Sequence, residues 1–180
     1  LLEREGILMH NDVFCKIVRG EIPCYKLYED EKVLAFLDIS QVTNGHVLVI
    51  PKDHYDNFLS TPQETMHQVM DVAQRIGQVL IRMMGAKGVN ILTNNYEAAG
   101  QTVMHFHVHV IPRYEKGDGF ILEMKDNHEG LNLPAIQEMI DSGIAEIALP
   151  APKVRYYISK TLALHSNGCF ALYLNIKLIY

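Results

Sequence analysis

Three of the nine histidines in this sequence lie within five residues, at every second position: His105, His107 and His109. Apolar residues occupy the positions between them. Side chains of a β-strand point alternately to opposite faces, so this spacing predicts a strand with three imidazoles on one face and its apolar residues on the other. Three imidazoles on one face are not a way to pack a core, and the pattern therefore indicates a polar functional site.

Two kinds of chemistry suit such a row of imidazoles. Two histidines two positions apart on a strand can bind one metal ion. Alternatively, a neutral imidazole is a nucleophile at neutral pH, and its neighbours can donate protons or stabilise charge, which suits reactions at phosphorus. A cupin-type metal site would need a glutamate after three or four intervening residues, but those positions hold Ile111, Pro112, Arg113 and Tyr114. This absence argues against the metal-dependent alternative.

Three helices are predicted along the chain, one before the first strands and two after them. A short helix is predicted from Val13 to Arg19. A long helix is predicted to begin with Thr61 as its N-cap and Glu64 completing a capping box, and to end at Gly85. Its apolar residues recur at helical spacing and form one stripe for the core. A further helix is predicted at Leu133–Ile140.

Five strands are predicted between and after these helices. Each is a short apolar or alternating run bounded by turn residues. They lie at Tyr25–Tyr28, Lys32–Leu37, His46–Ile50, Val89–Thr93 and Thr102–Pro112. The first two form a hairpin, and a polar loop separates the last two. This order predicts an α+β fold with a mainly antiparallel sheet.

Composition excludes several classes of protein. The chain of 180 residues is too short for a (β/α)₈ barrel, which needs roughly 250 residues. Its formal charge of −5 makes it a poor candidate for coating nucleic acid, which needs a basic surface. Three cysteines form no disulfide framework, and no apolar run reaches the roughly 18–20 residues of a spanning helix. We therefore expect a cytoplasmic protein without nucleic-acid or membrane partners.

The two ends of the chain differ from its middle. Residues 1–10 are interpreted as a leader, and residues 11–146 as the functional domain. Residues 147–180 contain no acidic side chain and are rich in tyrosine, leucine and isoleucine. This change in composition predicts a C-terminal extension, whose role the sequence leaves open.

The segment His105–Ile111 resembles the signature of the histidine triad (HIT) superfamily, in which three histidines alternate with apolar residues. Further blocks resemble that family in the same order along residues 12–125. They are Phe14–Pro23, Leu34–Ile39, Gly45–His54 and Asn94–Thr102. The Hint-type and bacterial Hit-like proteins are the most similar branch. The resemblance implies a five-stranded antiparallel sheet flanked by helices, and a homodimer.

The resemblance also implies roles for single residues. His107 corresponds to the nucleophile that attacks the α-phosphorus of a nucleotide, and the backbone carbonyl of His105 would orient its ring. His109 and His46 would lie at the phosphate, and Asp38 would bind the ribose hydroxyls. Phosphate oxygens would accept hydrogen bonds from Asn94, Gln101 and Thr102. The apolar wall around the base would consist of Phe14, Ile17, Phe36 and Ile39.

A structural zinc site is a separate question. Some bacterial relatives bind zinc with a Cys-x-x-Cys pair and two histidines. In this sequence the corresponding positions are Asp12 and Cys15, with His54 and His105 as nitrogen ligands. Because Asp12 replaces one thiolate, the sequence disfavours zinc, and no cofactor is expected to be required.

The expected function is hydrolysis or transfer at the α-phosphate of nucleoside phosphoramidates or related nucleotides, with dinucleoside polyphosphates as a further substrate class. The expected ligand is a purine nucleotide resembling AMP, and the reaction would pass through a covalent nucleotidyl-histidine. Two alternatives stay open: a nucleotide-binding signalling module without catalysis, and a metal-dependent hydrolase that uses the histidines as ligands.

Overall fold

The computed structural model describes residues 10–125 and 129–147 in full, and the backbone of two further strands at 157–164 and 170–177. Nearly all of the predicted leader lies outside these residues. The contacts divide the chain into two units, residues 1–124 and residues 125–180. The limits of the predicted functional domain, 11–146, stay a prediction.

The first unit contains one five-stranded sheet. Its strands follow the order β1-β2-β3-β5-β4, and every neighbouring pair is antiparallel. Its elements are α1 Val13–Val18, β1 Lys26–Glu29, β2 Val33–Leu37, β3 Val47–Pro51, α2 Gln63–Met84, β4 Gly88–Leu92 and β5 Val108–Arg113. The prediction of an α+β fold with an antiparallel sheet is confirmed.

The two faces of the sheet carry different clusters. On one face, α2 places Val69 and Ala73 against Val108 and Val110 of β5. The opposite face bears a smaller cluster that includes Phe14 of α1, and this is the face to which the alternation of β5 directs His109. The long helix therefore buries one face of the sheet, whereas the short helix α1 lies beside the histidines.

The start of α2 differs from its prediction. The Thr61 hydroxyl donates to the Asn57 carbonyl at 2.8 Å and does not cap the helix. Pro62 is the N-cap, makes no side-chain capping bond, and the first helical residue is Gln63. The cause is a 3-10 turn at Phe58–Ser60, capped by Asn57, which draws the Thr61 hydroxyl back toward it. The predicted capping box is therefore wrong.

The fifth strand is shorter than predicted. It begins at Val108, so that His105 and His107 lie in the extended segment before it. The Phe106 amide donates to the Tyr55 carbonyl at 2.6 Å, and the His105 amide donates to the Val103 carbonyl in a tight bend. These bonds replace strand pairing, so the prediction of one strand across Thr102–Pro112 is wrong at its beginning.

The second unit contains α3, Leu133–Glu146, and an antiparallel hairpin of β6, Tyr157–Leu164, and β7, Phe170–Lys177. The predicted helix at Leu133–Ile140 is confirmed and runs further. The hairpin lies in the predicted C-terminal extension, where no strands were predicted. No helix in the described part of the chain is long and apolar enough to cross a membrane.

Candidate active site

His107 is buried, with only 5% of its surface exposed, at the end of the segment that leads into β5. Its Nδ1 lies 2.7 Å from the His105 carbonyl oxygen. A carbonyl only accepts hydrogen bonds, so Nδ1 carries the proton and Nε2 keeps its lone pair. Burial lowers the pKa of His107, which keeps the ring neutral at neutral pH. The ring is therefore held neutral, with a lone pair on Nε2, by the carbonyl that the resemblance implied.

A cavity of about 330 Å³ opens beside this ring. Its size falls within the range of small-molecule sites. Seven of the residues predicted for nucleotide binding or catalysis line it besides His107: Phe14, Ile17, Phe36, Asp38, Ile39, Thr102 and His109. Most of them come from α1, β2 and the segment around β5, which the sheet brings together although they are far apart in sequence.

His109, His46 and Asp38 form a second group at this cavity. His109 Nδ1 lies 2.9 Å from His46 Nε2, and His46 Nδ1 lies 3.6 Å from Asp38 Oδ2. The rings of His107 and His109 meet edge to face, with centroids 4.9 Å apart. His46 itself is only 3% exposed and does not line the cavity. It reaches the site through His109.

The predicted phosphate ligands Asn94 and Gln101 make other contacts. Gln101 Nε2 donates to the carbonyls of Asp56 and Val103, and its Oε1 accepts from the Tyr96 amide. Both amide hydrogens of Gln101 are thus used by the polypeptide. Asn94 Nδ2 donates to the Gly100 carbonyl at 3.2 Å. In this structure these two side chains shape the 94–101 loop, while Thr102 lines the cavity.

The four candidate metal ligands lie together. One donor atom each from Asp12, Cys15, His54 and His105 lies within 4.8 Å of the others. Cys15 Sγ is 3.5 Å from His54 Nδ1 and 3.6 Å from His105 Nδ1. His105 Nε2 donates to the Pro51 carbonyl, so its Nδ1 presents a lone pair to the group.

This set of one sulfur, two imidazole nitrogens and one carboxylate suits tetrahedral zinc. His54 Nε2 also lies 3.0 Å from Asp56 Oδ1, the kind of outer contact that orients a metal-binding histidine. The residues therefore fit a zinc ion better than the sequence indicated, because the fold brings all four donors to one point.

A family model for the HIT domain matches residues 19–116 of this chain. The chain belongs to the HIT family. A crystal structure of a HIT family member from Bacillus subtilis has a TM-score of 0.71 and 44% sequence identity, and the match covers 78% of this chain and all (100%) of that one. The resemblance and the HIT-like fold predicted from the sequence are thereby confirmed.

Two further members of the HIT family extend this comparison. Adenylylsulfatase HINT3 from Arabidopsis thaliana is 42% identical over 113 residues, which cover 62% of this chain and 57% of that protein. A zinc-bound histidine triad family protein from Mycobacterium smegmatis is 42% identical with a TM-score of 0.57. This match covers 73% of the present chain and 96% of the other.

Sequence reasoning missed parts of this HIT site. Leu48 lines the cavity and is paired with His109 across β3 and β5. The alternation from His46, which immediately precedes β3, to Leu48 carries that signal, because residues two positions apart in an extended segment point to the same face. Gln41 was missed as well: its Nε2 donates to the carbonyls of Asp38 and His46 and so closes the loop between them. A surface glutamine in a polar loop gives no such signal.

The HIT domain should lose stability in mild acid through His109. Burial lowers the pKa of this residue to about 4 from an ordinary value of 6.5. Between these values the unfolded chain binds a proton that the folded site excludes. The contribution of His109 is therefore complete above pH 6.5, falls progressively as the pH is lowered below 6.5, and is lost once the pH has passed through 4. We expect this loss to be about 2 kcal/mol, allowing for partial solvent screening.

Urea unfolding at pH 7 and pH 4.5 measures this effect. His109→Asn removes the titration and keeps an amide where Nδ1 contacts His46. The difference in free energy of unfolding between the two pH values should be smaller in the variant than in the unmodified protein. An equal difference in both proteins would contradict the assignment to His109.

Proposed function

We propose that this chain binds a purine nucleoside monophosphate unit and cleaves the bond between its α-phosphate and a leaving group, through a covalent intermediate on His107. The observation that supports this most directly is the fixed tautomer of His107. Its Nδ1 donates to the His105 carbonyl, and its Nε2 is left with a lone pair beside the cavity. The relative named adenylylsulfatase agrees with a substrate that carries an adenylyl group.

The proposed reaction has two displacements. In the first, Nε2 of His107 forms a bond to the α-phosphorus while the bond from phosphorus to the leaving amine breaks, and the departing amine takes up a proton from solvent water. In the second, water attacks the same phosphorus, the bond to Nε2 breaks, and the nucleoside monophosphate is released. Splitting one hydrolysis into two steps is ordinary covalent catalysis.

The remaining residues of the cavity bind and orient the nucleotide in this proposal. Asp38 accepts hydrogen bonds from the ribose hydroxyls, and Thr102 and His109 lie at the phosphate. The base lies against Phe14, Phe36 and Ile39. Ile39 is 88% exposed in this structure, so a base that covers it would remove apolar surface from water. The apolar wall gives no basis for choosing adenine over guanine.

Incubation with an adenosine phosphoramidate tests the proposal. AMP should be released, and protein quenched early in the reaction should carry the added mass of one adenylyl group on the peptide that contains His107. Tight AMP binding without this adduct would support the non-catalytic nucleotide-binding module instead. Activity that is lost to a chelator, with metal bound at the histidines, would support the metal-dependent hydrolase.

A homodimer and a cytoplasmic location are part of the same proposal. Neither depends on the chemistry of His107. Sedimentation velocity at micromolar concentration should give the mass of two chains, twice 20.5 kDa. A single chain at that concentration would contradict the dimer.

We also propose that zinc binds at Asp12, Cys15, His54 and His105, as a structural ion that would hold α1 to the segment before β5. Asp12 has a second task, because its Oδ1 accepts hydrogen bonds from the amides of Phe14 and Cys15 at the start of α1. Asparagine caps a helix about as well as aspartate but lacks the negative charge that zinc requires. Asp12→Asn therefore separates zinc binding from the capping of α1.

Zinc at about 100 times its Kd should raise the free energy of unfolding by about 2.7 kcal/mol in metal-stripped protein. The increase should be much smaller in Asp12→Asn, while its stability without zinc changes by less than about 0.5 kcal/mol. Urea unfolding with and without zinc measures both quantities. An equal increase in the two proteins, or none in the unmodified protein, would rule out this ligand set.

A further inference from the structure

His46 occupies an unusual position for a residue expected at the phosphate. It is only 3% exposed and is absent from the wall of the nucleotide cavity. Its Nε2 instead faces His109 Nδ1 at 2.9 Å. The ring is therefore screened from a ligand, and any effect on the reaction must pass through His109.

The surroundings of His46 fix where its proton lies. Its Nδ1 is buried without a hydrogen-bond partner, and the nearest charged atom is Asp38 Oδ2 at 3.6 Å. A carboxylate attracts a proton on the near nitrogen and would repel a lone pair there. Burial also disfavours the doubly protonated ring. His46 is thus neutral, with its proton on Nδ1 and a lone pair on Nε2.

The lone pair on His46 Nε2 determines the protonation of His109 in turn. Two lone pairs at 2.9 Å would repel each other, so His109 Nδ1 must donate to His46 Nε2. The proton of a neutral His109 is then on Nδ1, and the lone pair of its Nε2 is available on the side of the cavity. Asp38, His46 and His109 together form a chain of three side chains from the ribose end of the cavity to the phosphate end.

We propose that His46 is a positioning residue that, together with Asp38, holds the proton of His109 on Nδ1. His109 then presents an acceptor, rather than a donor, to the group that reacts at phosphorus. This inference rests on the proposed function for its catalytic consequence. The position of the proton on His109 does not depend on a bound ligand.

In the hydrolytic step this acceptor takes a proton from the attacking water. The oxygen of that water forms a bond to phosphorus, its proton moves to His109 Nε2, and the bond from phosphorus to His107 Nε2 breaks. No metal or further reactant is needed. The role assigned to His46 is to prepare His109 for this transfer without touching the substrate.

Two variants of His46 test whether His109 needs a hydrogen-bond acceptor at the place of His46 Nε2. The amide of glutamine reaches approximately the place of Nε2, so His46→Gln can still accept a hydrogen bond from His109. The amide of asparagine reaches only the place of Nδ1, so His46→Asn leaves His109 without its partner. His67→Asn is a matched control, because His67 lies exposed on α2.

Long-range ¹H–¹⁵N NMR of histidine-labelled protein without ligand, at pH 7.5, reads the proton position directly. The unmodified protein, His46→Gln and His67→Asn should show His109 protonated on Nδ1. His46→Asn should shift most of His109 to the form protonated on Nε2. Protonation of His109 on Nε2 in the unmodified protein, or the same spectrum in His46→Asn, would overturn the proposal whether or not the protein hydrolyses nucleotides.

Steady-state kinetics with the adenosine phosphoramidate measure the consequence. His46→Asn should lower kcat by about a hundredfold, the lower end of the usual contribution of general acid–base catalysis because His109 itself is retained, with KM changed less than about threefold. His46→Gln should lose much less. A rise in KM in both variants with kcat retained would show instead that His46 contacts the phosphate. Failure of the unmodified protein to release AMP would refute the proposed function and leave the NMR result standing.

Discussion

Replacing His107 with alanine should lower kcat for an adenosine phosphoramidate by at least about 10³-fold. Removal of a covalent nucleophile has effects of this size or larger, because the remaining groups of a site can bind the substrate but cannot replace the bond that is lost. In this protein the ring is the buried imidazole whose Nε2 is left free by the hydrogen bond to the His105 carbonyl. Measurement of AMP release under saturating substrate checks the prediction.

His107→Asn is the sharper variant for the same prediction. The asparagine amide reaches the place of Nδ1 and can donate to the His105 carbonyl, so the segment before β5 keeps its hydrogen bond. It has no group in the place of Nε2. We expect the same loss of kcat as in the alanine variant, with the Kd for AMP within about threefold of the unmodified protein. Turnover retained in either variant would exclude His107 as the nucleophile.

The periodicity of the sequence predicted most of the fold because each element carries its own local signal. Within the predicted stripe of α2, Val69, Ala73 and Leu80 are buried in the core, and the alternation in β5 places Val108 and Val110 there. Three members of that stripe are exposed instead: Met70, Ile81 and Met84. His107 and His109 meet at one cavity, as their spacing predicted, although His107 lies before the strand.

Other features of the site depend on contacts between distant segments. His105 is separated by two positions from His107, yet its ring contacts Cys15 of α1 and the Pro51 carbonyl. Gln101 resembles a phosphate ligand in sequence, but its amide is used by the carbonyls of Asp56 and Val103. Such partners lie up to 90 residues apart along the chain, and no local pattern reports them.

Asp38→Asn should abolish the preference of the site for a nucleotide that carries ribose hydroxyls over one that lacks them. In the structure one carboxylate oxygen of Asp38, Oδ1, accepts from the Ser40 amide at 2.8 Å. The other, Oδ2, lies 3.6 Å from His46 Nδ1 and has lone pairs left for the ribose hydroxyls. A hydrogen bond to a charged acceptor contributes about 1.5–3 kcal/mol, which corresponds to about 10- to 150-fold in affinity. The Kd for AMP should therefore rise by at least about tenfold in the variant.

Comparison with 2′,3′-dideoxy-AMP separates this contact from general damage to the site. Asparagine can still accept from the Ser40 amide, so the turn after β2 should be retained. The unmodified protein should bind AMP at least about tenfold more tightly than the dideoxy compound, and Asp38→Asn should bind the two about equally. If the variant weakened both ligands by the same factor, the preference for AMP would survive and Asp38 would act on the site through His46 rather than on the ribose. Equal affinities in the unmodified protein would mean that no group in the cavity recognises the hydroxyls at all.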